Sequence, residues 1–256
     1  MGIRRAIKRV LSLENRKSLP NPFRDGTGNN RVIIHHRSGN RSDRNTIDQV
    51  FIQRDYALGK LKRGSELYKL AASLPKPLIV DAGGNIGASA CWFCRDFPNA
   101  HVVAFEPDEG NFGLMRRNAG ALNTDLRQSA IGATDGKVTL IDPGLGPDAF
   151  RTSDNPDGEL RRESMSRIVA EKVAAGYSPF IAKIDIEGGE IDLFSSNTDW
   201  VDLFPLVIVE LHDWLLPTQG TALPFLRCIA SKNRDFVHAG ENVFSIRNPL
   251  SLPTIQ

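Results

Sequence analysis

The chain has 256 residues, a formal net charge of +2 and three cysteines. This length can bury one large core, and so few cysteines argue against a disulfide framework, which favours a reducing, cytoplasmic setting. The sequence contains no apolar run of about 18 residues and no apolar core of a secretion signal. It therefore predicts neither a membrane-spanning helix nor a Sec-type signal.

Positive charge is concentrated at the start of the chain. Residues 1–44 carry 11 Lys and Arg against three acids, a local balance of +8, which leaves about −6 for the remainder. In MGIRRAIKRVL, apolar and basic residues alternate at helical spacing, which is typical of a basic amphipathic helix. A peripheral membrane contact through residues 1–17 and a solvated, frayed terminus both fit this pattern, and we favour the second. We predict a basic extension over residues 1–45 and a folded domain over residues 46–256.

From about residue 47, short apolar runs alternate with amphipathic stretches, which predicts a doubly wound α/β sheet. The predicted strands and their turns cover residues 78–84, 101–107, 126–132, 137–142, 181–190, 206–214, 234–240 and 242–248. The predicted helices cover residues 65–74, 88–97, 109–122, 165–176, 191–196 and 223–231. Residues 143–159 are rich in Pro, Gly and Asp, so we expect a mobile surface loop there.

The first predicted strand ends in a glycine-rich turn with the pattern Asp81-x-Gly83-x-Asn85-x-Gly87, and a predicted helix follows directly. Glycines allow the backbone to approach a ligand closely, and Asp81 can accept a hydrogen bond or pair with a positive group. A dinucleotide fingerprint requires Gly-x-Gly-x-x-Gly, but its third position is Asn85 here. The turn therefore suits a nucleoside ligand other than NAD.

Acidic side chains end the predicted parallel strands. Ligands of open α/β sheets bind beyond the carboxyl ends of the strands, where the sequence places Asp81, Glu106, Asp185, and the pair Glu210 and His212. A carboxylate at Glu106 can bind both ribose hydroxyls, and the glycine turn has no Lys or Arg for a phosphate. S-adenosylmethionine, a cationic nucleoside without phosphate, fits these features. The alternative is a purely structural turn capped by acids.

Five blocks in a fixed order extend this interpretation: VDAGGNIGASA, VVAFEPDEGNFGLMRRN, SAIG, KIDIEGGEIDLF and VIVELHDW. Together they resemble the FkbM-type S-adenosylmethionine-dependent methyltransferases from about Tyr56 to Arg247. The resemblance implies the seven-stranded class I methyltransferase sheet, which is Rossmann-like and mostly parallel with an antiparallel edge pair. That fold agrees with the order of elements predicted above.

The resemblance also implies a set of cofactor-binding residues, namely Asp81, Gly83, Gly84, Asn85, Gly87, Glu106, Ser129 and Ala130. Asp81, Gly83 and Gly87 are expected at the methionine end of S-adenosylmethionine. Glu106 is expected to hold the ribose, and Ser129 or Ala130 to lie near the adenine. Asn85 stands where many methyltransferases have a glycine, although this variant is usual in the family.

Methyl transfer from a sulfonium requires an acceptor atom in line with the methyl group and the sulfur, so positioning supplies much of the rate. If the acceptor is a hydroxyl, a positioned base helps to remove its proton. His212 is the first candidate for this base because imidazole titrates near neutrality, and Asp185 and Glu210 are expected to orient it or share its role. An equally favoured alternative is that His212 is a structural residue, hydrogen-bonded at a strand end. The family resemblance implies an O-methyltransferase whose acceptor is a sugar or a glycosylated or lipid-linked metabolite.

A divalent metal ion is a further alternative at these strand ends. Asp185, Glu187, Glu210 and His212 are chemically adequate ligands. The sequence shows no compact ligand spacing, however, and for this reason it predicts no metal site. The C-x-x-C pair within residues 88–97 lies in a predicted helix with only one further cysteine elsewhere, so we interpret it as part of a helix and not as a zinc half-site.

Three other functions compete with methyl transfer to a small molecule. An NAD-dependent oxidoreductase is disfavoured by the glycine spacing, and an inactive binding module by the acids at every strand end. Methylation of nucleic acid is disfavoured because the basic segment has no interleaved aromatic residues. The acceptor pocket is expected to form from the segment before Leu78, the loop over residues 143–159 and the loop after Trp214. The sequence does not define the oligomeric state.

Overall fold

The computed structural model of the chain describes residues 21–26, 31–142 and 151–250. The strands in these ranges are β1 (Phe23–Asp25), β2 (Val32–Ile34), β3 (Pro77–Ala82), β4 (His101–Phe105), β5 (Thr124–Arg127), β6 (Ala130–Gly132), β7 (Gly136–Ile141), β8 (Arg151–Asp154), β9 (Leu160–Ser164), β10 (Ser178–Ile184), β11 (Leu206–Glu210), β12 (Arg234–Ala239) and β13 (Asn242–Arg247). The α-helices are α1 (Arg41–Ile47), α2 (Gly64–Ser73), α3 (Ala88–Asp96), α4 (Glu109–Ala119), α5 (Met165–Ala174), α6 (Glu190–Leu193), α7 (Trp200–Leu203) and α8 (Leu223–Ala230).

Within the described ranges, seven strands form the central sheet in the order β12-β13-β11-β10-β3-β4-β5. The strands β11, β10, β3, β4 and β5 run parallel to one another, and β13 runs antiparallel to both β11 and β12. This arrangement confirms the predicted doubly wound sheet, mostly parallel with an antiparallel edge pair. It also puts the carboxyl ends of β3, β4, β10 and β11 along one edge, where ligands of such sheets bind.

The strand β3 shows how the sheet separates two layers of core. All six of its residues are buried, as its continuous apolar run predicts for a central parallel strand. Successive side chains point to opposite faces, so Ile79 packs with Phe93 and Met115 in one cluster, whereas Val80 packs with Phe105 in the other. The sheet is therefore covered on both faces, and only its edges and strand ends can carry a site.

A second sheet of four strands has the order β6-β9-β7-β8 and was not predicted. The prediction of one strand over residues 126–132 is wrong, because the chain turns between β5, which pairs with β4, and β6, which pairs with β9. The predicted edge strand over residues 137–142 exists as β7 but belongs to the second sheet. Such pairings join residues distant in the chain, and local periodicity does not encode them.

The loop predicted over residues 143–159 is only partly irregular. Residues 151–154 form β8, which pairs antiparallel with β7. Residues 143–150 lie outside the described ranges.

The described part of the predicted extension contributes to the core. Phe23 of β1 and Ile34 of β2 are buried in the same cluster as Phe51, whose ring centroid lies 5.6 Å from that of Phe23. The predicted boundary between residues 45 and 46 falls within α1, and the division into extension and domain stays a prediction. Residues 1–17, for which a membrane contact was considered, lie outside the described ranges. Within those ranges, no helix combines the length and apolar character needed to cross a bilayer.

The C-x-x-C pair lies on α3, as predicted, and both thiols are free. Cys91 is buried and Cys94 is partly buried. Burial raises the pKa of both thiols, that of Cys94 to about 12. Both groups are therefore neutral thiols at physiological pH, which suits helix packing better than metal binding.

Candidate active site

A cavity of about 570 Å³ opens at the carboxyl ends of the parallel strands. The glycine turn after β3, Glu106 after β4, Asp185 after β10 and Glu210 at the end of β11 all line it. Residues predicted separately from four strand ends thus meet in one place. Among the described residues, Asp81, Gly87 and His212 do not line the cavity.

The glycine turn fits tightly against its neighbours. Gly83 has a φ of +82°, and a Cβ atom there would lie 1.8 Å from the carbonyl oxygen of Asp185. Its amide and that of Gly84 donate to the carbonyl oxygen of Phe105, at 3.1 and 2.8 Å. The turn is therefore held between β4 and the segment after β10, with its backbone facing the cavity. Gly87 then starts α3 with a φ of +83°.

Glu106 ties the turn to the start of α4. Its Oε2 accepts a hydrogen bond from the amide of Asn85 at 2.8 Å, and its Oε1 accepts one from the amide of Asp108 at 2.9 Å. Burial raises the pKa of the Glu106 carboxyl to about 7, although the two amide donors favour the ionised form. Beside it, Oδ1 of Asn85 is buried and has no hydrogen-bond partner among the described residues.

Asp81 is fully buried beneath the turn. Its Oδ2 accepts a hydrogen bond from the Ser89 hydroxyl at 2.6 Å, and its Oδ1 lies 3.2 Å from Nζ of Lys183. The Lys183 ammonium also donates to the carbonyl oxygen of Gly83 at 2.6 Å and lies 3.4 Å from Oδ2 of Asp185. Burial alone would lower the pKa of Lys183, but the two carboxylates outweigh burial and raise it. The Asp81–Lys183 pair therefore holds the turn in place by electrostatics, and Lys183 also lines the cavity.

Ser129 and Ala130 also line the cavity. The Ser129 hydroxyl donates to Oε1 of Glu163 at 2.8 Å. Glu163 in turn pairs with Arg127 at 2.8 Å and with Arg167 at 2.9 Å. The second sheet thus anchors this wall, since Glu163 belongs to β9.

The three predicted catalytic residues lie together. Nε2 of the fully buried His212 lies 3.5 Å from Oδ1 of Asp185 and 3.9 Å from Oε1 of Glu210. Glu187, at a φ of +54°, brings its Oε2 within 3.6 Å of the same nitrogen. On the other side of the ring, Nδ1 lies 3.0 Å from Oε1 of the buried Glu190.

In this cluster, burial and the neighbouring charges shift the pKa values of His212 and Asp185 in opposite directions. Burial alone would lower the pKa of His212, but Asp185 and Glu190 outweigh burial and raise it to about 11. Burial alone would raise the pKa of Asp185, but Lys183 and His212 hold it below its usual value. Burial and the neighbouring Asp185 raise the pKa of Glu210. The cluster has more carboxylates than bases, so it favours cationic ligands.

Residues 81–236 match the model of the methyltransferase FkbM domain. The chain belongs to the FkbM methyltransferase family. Methyltransferase 1 of Beauveria bassiana is 26% identical over 172 residues, covering 57% of this chain and 69% of that protein. Hexuronic acid methyltransferase AglP of Haloferax volcanii is 25% identical over 149 residues, covering 57% of this chain and 60% of AglP. Among solved structures, the methyltransferase PaMTH1 of Podospora anserina with S-adenosylhomocysteine has a TM-score of 0.42 at 10% identity, covering 96% of each chain.

As an FkbM family member, the protein is an S-adenosylmethionine-dependent methyltransferase, and this decides between that cofactor and NAD. The cavity volume lies within the usual range of about 300–1,000 Å³ for ligand pockets. The Glu106 carboxylate and the unpartnered Oδ1 of Asn85 are acceptors suited to the hydroxyl and amino donors of a nucleoside. The carboxylates of Asp185 and Glu210 on the same cavity wall favour a positively charged group. The residues present therefore fit S-adenosylmethionine.

Several cavity-lining residues of this FkbM family member were not named by the prediction, which for this part of the chain gave only the segment before Leu78 as part of the acceptor pocket. Asn45, Thr46, Gln49 and Val50 form a wall of the cavity, because α1 continues into a π-helical turn over Asp48–Ile52. Nε2 of Gln49 donates to Oε2 of Glu241 at 3.0 Å, which joins this wall to the turn between β12 and β13. No sequence motif marks this segment.

Proposed function

We propose that the protein transfers the methyl group of S-adenosylmethionine to a hydroxyl oxygen of a sugar or of a glycosylated or lipid-linked metabolite. The observation that carries this proposal is that Asp185 and Glu210 line the same cavity as the glycine turn. The carboxyl groups of Asp185 and Glu210 therefore lie beside the proposed cofactor position, and Asp185, whose pKa is held below its usual value, is ionised and available as a proton acceptor. The rate of methyl transfer is raised by positioning the acceptor oxygen in line with the methyl group and the sulfur, and by removal of the hydroxyl proton.

The residues divide into cofactor-binding and acceptor-facing groups. S-adenosylmethionine supplies an activated methyl group. The glycine turn, with Asn85 and Glu106, holds the cofactor, while Asp81 and Lys183 keep the turn in place from below. Asp185 and Glu210 face the acceptor, because their side chains reach the cavity.

His212, the first candidate for the base in the sequence, lies behind these carboxylates and is fully buried. We therefore assign it a positioning role toward Asp185 and Glu210.

A sugar acceptor is supported by an exposed aromatic side chain. Trp214 lines the cavity, yet 68% of its surface is exposed. Large apolar side chains at the mouth of a pocket are suited to pack against the apolar face of a sugar ring. The relative AglP is named a hexuronic acid methyltransferase, which agrees with a carbohydrate acceptor. Thr152, the loop after β11 and the wall from residues 45–50 supply the remaining surface for the acceptor.

The proposal is tested in two stages. Calorimetry first measures S-adenosylhomocysteine binding to the wild type and to Glu106→Gln, and we expect binding that the variant weakens. Transfer of a labelled methyl group is then measured with sugars, uronic acids and glycolipids, against amines and thiols of similar size.

An O-methylated sugar identified by NMR supports the proposal. Transfer to nitrogen or sulfur alone contradicts the hydroxyl assignment. Tight S-adenosylhomocysteine binding without transfer to any acceptor favours an inactive module that retains the cofactor fold.

A further inference from the structure

Four side chains converge at the acceptor end of the cavity from two strand ends. Asp185 and Glu187 follow β10, Glu210 is the last residue of β11, and His212 lies two residues further on. One atom each of Asp185, Glu187 and His212 lie within 4.8 Å of one another. The carboxylate oxygens of Asp185, Glu187 and Glu210 lie 3.5, 3.6 and 3.9 Å from Nε2 of His212.

The nitrogen at the centre of this group has no hydrogen-bond partner among the described residues, although the His212 side chain is 0% exposed. Leaving a buried polar atom unpaired costs about 1–3 kcal/mol, so such atoms usually have a ligand or a structural reason. Two ligands at about 2.1 Å from one metal ion lie roughly 3.0–3.4 Å apart at octahedral or tetrahedral angles. The observed separations are slightly longer, so a shared cation would need only small side-chain movements.

The orientation of the imidazole ring is fixed from behind. Nδ1 of His212 lies 3.0 Å from Oε1 of Glu190, which is fully buried. Glu190 is itself held by the amides of Ile186 at 3.2 Å and Gly188 at 2.9 Å. A carboxylate bonded to one ring nitrogen directs the lone pair of the other nitrogen outward, as it does for histidines that bind metals. This arrangement aims Nε2 at the three carboxylates.

We propose that Asp185, Glu187, Glu210 and His212 form a site for one divalent cation of the Mn²⁺ class. Carboxylate oxygens suit hard ions such as Mg²⁺, Ca²⁺ and Mn²⁺, and an imidazole ligand favours Mn²⁺ among them. An ion bound at this site lies next to the proposed acceptor, because Asp185, Glu187 and Glu210 also line the cavity. A bound cation there coordinates the acceptor hydroxyl and lowers its pKa. That catalytic role rests on the proposed function, whereas metal binding does not.

The experiment uses the full chain after treatment with a chelator and its removal. Mn²⁺ is titrated into the protein, and the free ion is followed by its electron paramagnetic resonance signal. We expect one ion per chain. The variant Glu187→Gln should weaken binding by at least about tenfold, and Glu190→Gln by about 10- to 100-fold, because it no longer orients His212 through a carboxylate.

Glu241→Gln is the matched control, because Glu241 lines the same cavity outside the proposed ligand set. It should bind Mn²⁺ as the wild type does, which separates a defined site from accumulation of cations in an acidic cavity. S-adenosylhomocysteine binding, measured on the same samples, shows whether each variant is folded and separates failure of the metal site from failure of the proposed function.

Two results would overturn the proposal. One is that the wild-type protein binds S-adenosylhomocysteine but binds no Mn²⁺ at millimolar concentration. In that case His212 is an imidazolium paired with the surrounding carboxylates. The other is Mn²⁺ binding that is equally strong in Glu187→Gln and Asp185→Asn.

Discussion

His212 and Glu190 form a fully buried pair in which Nδ1 of the imidazole lies 3.0 Å from a carboxylate oxygen. The same carboxylate accepts from the amides of Ile186 and Gly188. One side chain therefore connects the segment after β10 to the segment after β11. The geometry of the acceptor end depends on this connection, since both segments carry residues that line the cavity.

Replacing Glu190 with alanine should destabilise the fold. The change leaves up to three donors without an acceptor in a buried region, at about 1–3 kcal/mol each, so we expect a loss of about 3 kcal/mol or more in the free energy of unfolding. Urea unfolding measures the effect. The exposed Glu159→Ala serves as the control and should change stability by less than about 0.5 kcal/mol. Equal effects of the two substitutions would mean that the Glu190 contacts contribute nothing.

Cofactor affinity should depend on the ionisation of Glu106. In the proposed site a ribose hydroxyl donates to the carboxylate form of Glu106, and burial raises the pKa of this group to about 7 in the free protein. Lowering the pH from 8 to 6 should therefore weaken S-adenosylhomocysteine binding by about tenfold, measured by calorimetry. Glu106→Gln should show weaker binding with little change over this range. If binding to Glu106→Gln kept the same pH dependence, the titrating group would be one other than Glu106.

Protonation of Glu106, which should weaken cofactor binding, should stabilise the free protein. The pKa of Glu106 is raised above the ordinary value of 4.5, so folding favours the protonated form. This contribution is fully present below about pH 4.5 and is lost as the pH rises through 7. Unfolding of wild type and Glu106→Gln across this range should therefore show the wild type losing stability relative to the variant. A constant difference would contradict the assigned pKa.

Two glycine-to-alanine changes should have opposite effects. At Gly83 the φ of +82° disfavours alanine, and the added Cβ would meet the Asp185 carbonyl oxygen at 1.8 Å. The chain would have to move, so we expect a loss of at least about 3 kcal/mol in stability. Gly113 is exposed within α4, and a Cβ there meets nothing within 4 Å. Gly113→Ala should stabilise the protein by about 0.5–1 kcal/mol, because alanine favours the helix. Thermal unfolding of both variants tests the contrast.

Replacement of Trp214 should weaken binding of the acceptor and leave binding of the cofactor unchanged. If a sugar ring packs on the exposed indole, Trp214→Ala loses about 1.4 kcal/mol of contact, and KM for the acceptor rises by about tenfold. Trp214→Phe should lie between the alanine variant and the wild type. S-adenosylhomocysteine affinity and thermal stability should stay unchanged in both variants. An unchanged KM in Trp214→Ala would remove this residue from the acceptor surface.

The order of the central sheet and the strand-end residues could be predicted because both depend on local patterns. A buried apolar run followed by glycines and a helix defines each strand–turn–helix unit, and parallel strands end on one edge. Glu106, Asp185 and Glu210 therefore came together as expected. The second sheet and the wall over residues 45–50 depend on contacts between distant segments, which no local pattern defines.

Lys183 is a residue whose importance the sequence could have indicated. It lies within the buried apolar strand β10, where a charge is costly unless it is paired. Asp81 is its register partner on the adjacent strand β3. A lysine inside one predicted core strand and an aspartate at the end of another would together have suggested the pair.

The hydrogen bond between Gln49 and Glu241 joins residues 192 positions apart. Both belong to the cavity wall, whereas Gly83 and Glu106 lie in the first half of the chain. During synthesis the glycine turn leaves the ribosome well before the β12–β13 hairpin. Cofactor capture by the growing polypeptide is therefore expected to wait until the β12–β13 hairpin has been synthesised, since only then can the part of the cavity wall that contains Glu241 assemble.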